Sequence, residues 1–164
     1  MDLYRAEKIG NVVEQASKTC HFCDEKLRHV RAVVISDTGA VIQMFYLMNL
    51  YHDELYLRGF NEQARNFQAS NFGRGGVEND RVSSEGQDSS GTNNANFNTP
   101  ADGGRGRMQM FLWTGPTPDK DGTADAEVII HEVTHGTSQR LHGNSAGLTA
   151  NMSGGMGEGW GDFF

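Results

Sequence analysis

Hydrophobic spacing changes period several times along the chain, and each change marks a predicted element. His29-Val30-Arg31-Ala32-Val33-Val34-Ile35-Ser36 is rich in β-branched residues and runs into Asp37-Thr38-Gly39. That pattern predicts a strand closed by a turn. From Ala40 to Arg58 the texture differs: Val41, Phe45, Met48, Tyr51 and Leu55 recur at steps of three and four, and Gly59 follows as a stop. This spacing predicts a helix of about five turns. Further apolar residues lie between those positions, so the expectation is burial on all sides rather than a one-faced surface helix.

Residues 70–107 have the composition of a linker, yet a structureless stretch of that length is unusual inside a compact domain. Short strands are predicted at 93–97 and 108–113, joined by a wide glycine-rich turn. A second helix is predicted over about 124–141. Asp121 or Thr123 can cap it, Asp125 and Glu127 suit the positive end of its dipole, and Gly143 ends it. Beyond it, glycines alternate at 155, 157, 159 and 161. Each weakens a helix by about 1 kcal/mol relative to alanine, which points to close backbone approach. No internal repeat is visible.

Composition narrows the function classes. The 164 residues suit one domain, and the 21 glycines against 3 prolines place many turns in it. Fourteen Lys and Arg against 21 Asp and Glu give a net charge of −7, which argues against a nucleic-acid-binding face. No apolar run approaches the roughly 18 residues of a membrane span. The charged start, Met1-Asp2-Leu3-Tyr4-Arg5-Ala6-Glu7-Lys8, has no apolar stretch behind it to act as a secretory signal. The expectation is a cytosolic protein or an internal piece of a longer precursor. Cys20 and Cys23 form one CxxC, half of a structural zinc site. No second pair completes it, so it reads as incidental.

Chemistry concentrates in the second predicted helix. His131-Glu132-Val133-Thr134-His135 places two imidazoles four residues apart, one above the other on a helical face, where both can reach one ion. Glu132 stands beside the first, placed to take a proton from water made acidic by zinc. Glu158, 23 residues past His135, can complete a His₂Glu set with the fourth position left open. Asp162, one helical turn further, can accept the remaining N–H of a ligand histidine and fix its tautomer. His52 and Asp53 read as a satisfied polar pair.

His131-Glu132-Val133-Thr134-His135-Gly136 followed by Gly154-Gly155-Met156-Gly157-Glu158-Gly159-Trp160-Gly161-Asp162-Phe163-Phe164 resembles the paired zinc motifs of the fungalysin family. Those proteins are secreted, thermolysin-like metalloendopeptidases. Three further stretches agree, at 45–56, 59–62 and 87–97. The resemblance runs from about Ala40 to Phe164, while residues 1–39 match poorly.

The resemblance implies an α+β, zincin-like fold, with a small sheet and an edge substrate strand packed on the HExxH helix. It implies one catalytic zinc held by His131, His135 and Glu158, Glu132 as general base, and Asp162 behind a ligand histidine. Asn94 and Ala95 would lie on the strand along which peptide substrate is laid. It further implies protein substrates, a propeptide in the precursor and secretion; charge and hydropathy already argue against a nucleic-acid or membrane partner. Family members continue past the position of Phe164 with a helical half that supplies oxyanion donors. The chain is therefore expected to be the N-terminal part of a catalytic domain, cut after its third zinc ligand. Under that expectation an inactive zinc-binding or interaction module, or an incomplete gene product, is the alternative to an active enzyme.

Overall fold

The computed structural model describes the backbone of residues 35–164 and the side chains of residues 39–164. Cys20, Cys23 and positions 29–34 of the predicted strand lie outside the described residues.

The first helix, α1, spans Ile35–Leu57. Residues 35–39, expected to finish a strand and form a turn, are instead its opening turns. Tertiary burial outweighs β-branched propensity there, because Ala40 and Val41 already pack into the core. Gly59, at φ 101°, ends the helix as predicted. The amide of Phe60 bonds back to the Leu55 carbonyl at 2.9 Å and that of Gly59 to Tyr56 at 3.1 Å, a glycine-dependent cap. Val41, Met44, Met48, Tyr51 and Leu55 form the buried face. The expected all-round burial is not met among the described residues, since Ile42, Tyr46, Leu50 and Leu57 on the other side are exposed.

The two predicted strands exist and pair. They are β2 (Ala95–Asn98) and β3 (Arg107–Met110), antiparallel, with Ala95 opposite Met110 and Phe97 opposite Met108. A third strand, β1 (Ser83–Glu85), runs parallel to β3 on its other side, giving the order β1-β3-β2. Ser-Ser-Glu carries no strand pattern. It is held by what surrounds it: Ser83 N–H donates to Gly106 O at 2.8 Å, and Ser84 Oγ reaches Met48 Sδ at 2.7 Å. The expected strand over 108–113 breaks at Phe111. Leu112–Trp113 becomes β4, which pairs antiparallel with β5 (Lys120–Asp121) in a separate two-stranded sheet.

A 3₁₀ turn over Gly122–Ala124 precedes α2 (Ala126–Leu141). The cap differs from expectation. Asp121 caps the 3₁₀ turn through Thr123 N–H, and Asp125 is the N-cap of α2, accepting from Glu127 and Val128 amides. Asp125 is extended at φ −96° and ψ 109°, which breaks one helix from the other. The last helix, α3, spans Asn151–Phe163.

α2 is the hub of the fold. Ile129 and Val133 point into the core with Met108, Met110 and the buried face of α1. Gly136 lets the sheet approach: a Cβ there would lie 2.7 Å from the Phe97 ring. At its C-terminal end Arg140 is wholly buried. Its guanidinium donates to Asp80, Asp102 and the carbonyls of Arg65, Pro100 and Gly104 at 2.7–3.3 Å, and stacks 4.2 Å from the Phe67 ring centroid. One side chain thus anchors both polar loops, 65–80 and 100–106, to the central helix.

Candidate metal centre

The helical register of α2 brings His131 and His135 to one face, with ring centroids 4.7 Å apart. α3 packs across that face and delivers Glu158 and Asp162. His135 Nε2 lies 3.0 Å from His131 Nε2 and 3.4 Å from Glu158 Oε2, and His131 Nε2 lies 3.2 Å from the same oxygen. His131 Nδ1 faces Asp162 Oδ1 at 2.8 Å. A carboxylate takes the N–H of an imidazole, so His131 Nε2 presents a lone pair toward Glu158.

Three groups able to offer a lone pair therefore converge, His135 through Nε2 when its proton sits on Nδ1, and a cation among them would be held by all three. Tetrahedral zinc with bonds near 2.0–2.1 Å separates its ligands by about 3.3 Å. The three observed separations of 3.0, 3.2 and 3.4 Å bracket that figure. The donor set fits zinc. Burial lowers the pKa of His135, opposed by Glu158, and so favours the neutral form that binds a metal.

Glu132 points elsewhere. It is 6 % exposed, and its Oε2 has no hydrogen-bond partner. Burial raises its pKa to about 7, with His131 pulling it down and Glu158 pushing it up. A cation beside it favours the carboxylate. The group borders a cavity of about 700 Å³ that is also lined by Asn94, Ala95, Trp113, Val128, His131 and Asp162. Ala95 opens β2, and among the described residues the outer side of β2 pairs with no other strand. Asn94 and Ala95 thus stand on the same cleft as Glu132.

The alternating glycines divide into two kinds. A Cβ on Gly161 would come within 2.7 Å of His131 Nδ1, and Gly157 faces His135 Nδ1 at 4.0 Å. Gly161 therefore admits the His131 ring, whereas a Cβ on Gly157 would make only ordinary contact with His135. Gly155 and Gly159 face open space, so close approach does not account for them. Gly161→Ala should therefore improve helix propensity yet weaken zinc binding at least tenfold, because His131 must shift. A chelator-competition titration reads this, and unchanged affinity would contradict the packing described.

Sequence reasoning missed Trp113, which lines the cleft, while the close approach expected of the alternating glycines is found at Gly161. His52 is the buried polar group expected, with Nδ1 3.1 Å from Asp53 and Nε2 3.0 Å from Gln68. His142 lies away from the cleft, stacked on Trp160 with its Nδ1 directed at Ser138 O.

A histidine pair on one helix, meeting a glutamate from the next, is the site architecture of a metallopeptidase. The sequence matches the family described as fungalysin metallopeptidase (M36) over residues 6–164, and the chain belongs to that family. It is 58 % identical over 128 residues to extracellular metalloproteinase mep of Aspergillus flavus, and to the same degree to extracellular metalloproteinase MEP of Fusarium vanettenii. Extracellular metalloproteinase 4 of Trichophyton tonsurans is 55 % identical over 129 residues. These alignments cover 76–77 % of this chain and 20 % of each relative. The chain spans about a fifth of the length of the curated relatives it matches. None of the described helices is long and apolar enough to cross a membrane.

Proposed function

We propose that this chain carries the metal-binding and proton-transfer residues of an extracellular zinc metalloendopeptidase. The convergence of three lone-pair donors beside a buried, unpartnered carboxylate carries this reading. His131, His135 and Glu158 would hold one zinc. Zinc chemistry at such a site is Lewis acidity, which polarises a carbonyl and makes water acidic near neutral pH.

The chain's own residues supply the rest. Glu132 Oε2 takes the proton of the attacking water and delivers it to the leaving amide nitrogen. Asp162 holds the His131 ring by its Nδ1–H, so that Nε2 keeps its lone pair turned inward. The open edge at Asn94 and Ala95 offers backbone groups to an extended peptide, which would lie along β2 and past Glu132. Among the described residues no strand covers the outer side of β2, which supports endopeptidase action on an extended chain. Secretion and protein substrates belong to the same proposal, supported by the names of the relatives, and a propeptide is proposed with them.

A second reading, a zinc-binding module without turnover, is favoured by the exposure of Glu158 and Asp162, at 64 % and 77 % of their side chains. With Glu158 and the Asp162 that holds His131 both so open to solvent, water reaches that side of the site. Chelator-sensitive hydrolysis of an internally quenched peptide decides between the two.

Metal content tests what they share. The purified chain should hold one zinc, and His131→Ala should lose it. A metal-free wild-type chain in zinc-containing buffer would overturn the assignment.

A further inference from the structure

Tyr51 is buried on the face of α1 that meets α2, and its hydroxyl does not end in apolar surroundings. It lies 3.0 Å from Thr134 Oγ1 and 3.2 Å from Thr137 Oγ1. Both threonine protons are already committed along the helix, Thr134 to Ile130 O at 2.7 Å and Thr137 to Val133 O at 3.3 Å. Each threonine oxygen therefore has only lone pairs left for Tyr51, and the phenol O–H donates into the space between them. We propose that Tyr51 is a positioning residue for the metal centre, fixing the rotation of α2 so that His131 and His135 face Glu158. The inference rests on the proposed metal reading.

Apolar contacts alone leave a helix some freedom to turn about its axis, whereas a directed bond shared by threonines three residues apart does not. The lever is long. The ligand nitrogens extend well beyond the Cα radius of about 2.3 Å, so a turn of about 10° moves them by about 1 Å. Thr134 immediately precedes His135, and Thr137 lies two residues beyond it, so the bond acts at the level of the second ligand. Burial raises the Tyr51 pKa, against the two threonine bonds, which keeps the phenol a donor. The other phenol facing polar groups from α1, Tyr56, donates to Glu62 instead and touches neither histidine.

The test is Tyr51→Phe in the full chain, titrated with zinc against a chromophoric chelator and loaded with cobalt for its visible spectrum. Zinc affinity should fall about three- to tenfold, with the cobalt ligand-field bands shifted. Tyr56→Phe should leave both readouts at wild-type values. Thr134→Ser, which keeps the accepting oxygen, should match wild type, and Thr134→Val should reproduce the loss even if Tyr51→Phe proves poorly folded. A Tyr51→Phe chain with wild-type affinity and an unshifted cobalt spectrum overturns the inference. So does an equal loss in Tyr56→Phe, which would mark general loosening of α1. A wild-type chain that binds no zinc overturns the metal reading itself, a result distinct from either.

Discussion

Replacing Glu132 with glutamine is expected to leave one zinc per chain while cutting chelator-sensitive peptide hydrolysis by about 10²–10⁴-fold. The substitution is close to isosteric, and the side chain is not among the three converging donors. What it removes is the basic oxygen at Oε2, buried on the cleft wall without a partner. An amide cannot accept the proton of the attacking water, so the loss should fall on kcat with little change in KM. Zinc analysis beside steady-state kinetics makes the measurement. Equal loss of metal in Glu132→Gln and His131→Ala would place Glu132 among the ligands, and undiminished hydrolysis would remove it from the mechanism.

Arg140→Met should be the most damaging single change to the fold, costing about 3–5 kcal/mol. The guanidinium serves Asp80, with both side chains at 0 % exposure, and three loop carbonyls besides. Methionine fills much of the volume and keeps contact with Phe67, but strands a buried carboxylate. Burial already pushes the Asp80 pKa up, against the bonds from Arg140, Gln68 and Gly103. An acid whose folded pKa exceeds its unfolded value weighs against the fold increasingly as the pH rises through that interval. Without Arg140 the interval widens, so the variant should be destabilised more at pH 8 than at pH 5. Urea unfolding of metal-free protein at the two pH values tests this. A loss under about 1 kcal/mol, or one independent of pH, would show that the loops hold without the arginine.

Arg140 also marks where sequence reasoning stopped. The helix holding it was legible from its caps and spacing, and the partners of the two histidines from the residues that followed. Its burial was not, because Asp80 and Asp102 lie 60 and 38 positions away in loops with no periodicity. The same reason hid β1, whose serines read as surface until Met48 and Gly106 are seen against them. Where Ile35 and Ser36, expected to close a strand, open a helix instead, local propensity pointed the wrong way. The HExxH pattern, by contrast, needs only the pitch of one helix to bring its ligands together. Glu158 and Asp162 needed only one more element laid across it.

That second element has a thermodynamic character of its own. Five of the 13 residues of α3 are glycine, each costing about 1 kcal/mol against alanine. It packs on the face of α2 that carries His131 and His135, with Gly161 against the His131 ring. Such a helix has little reason to stay formed by itself. A zinc ion bridging it to α2 would act as a cross-link between two segments 27 residues apart, so that metal uptake and the ordering of the last 13-residue helix become one event. Affinity measured at this site then contains a folding cost. Chelation should be felt as loss of helix as much as loss of chemistry, leaving the chain open to proteolysis between His142 and Ala150.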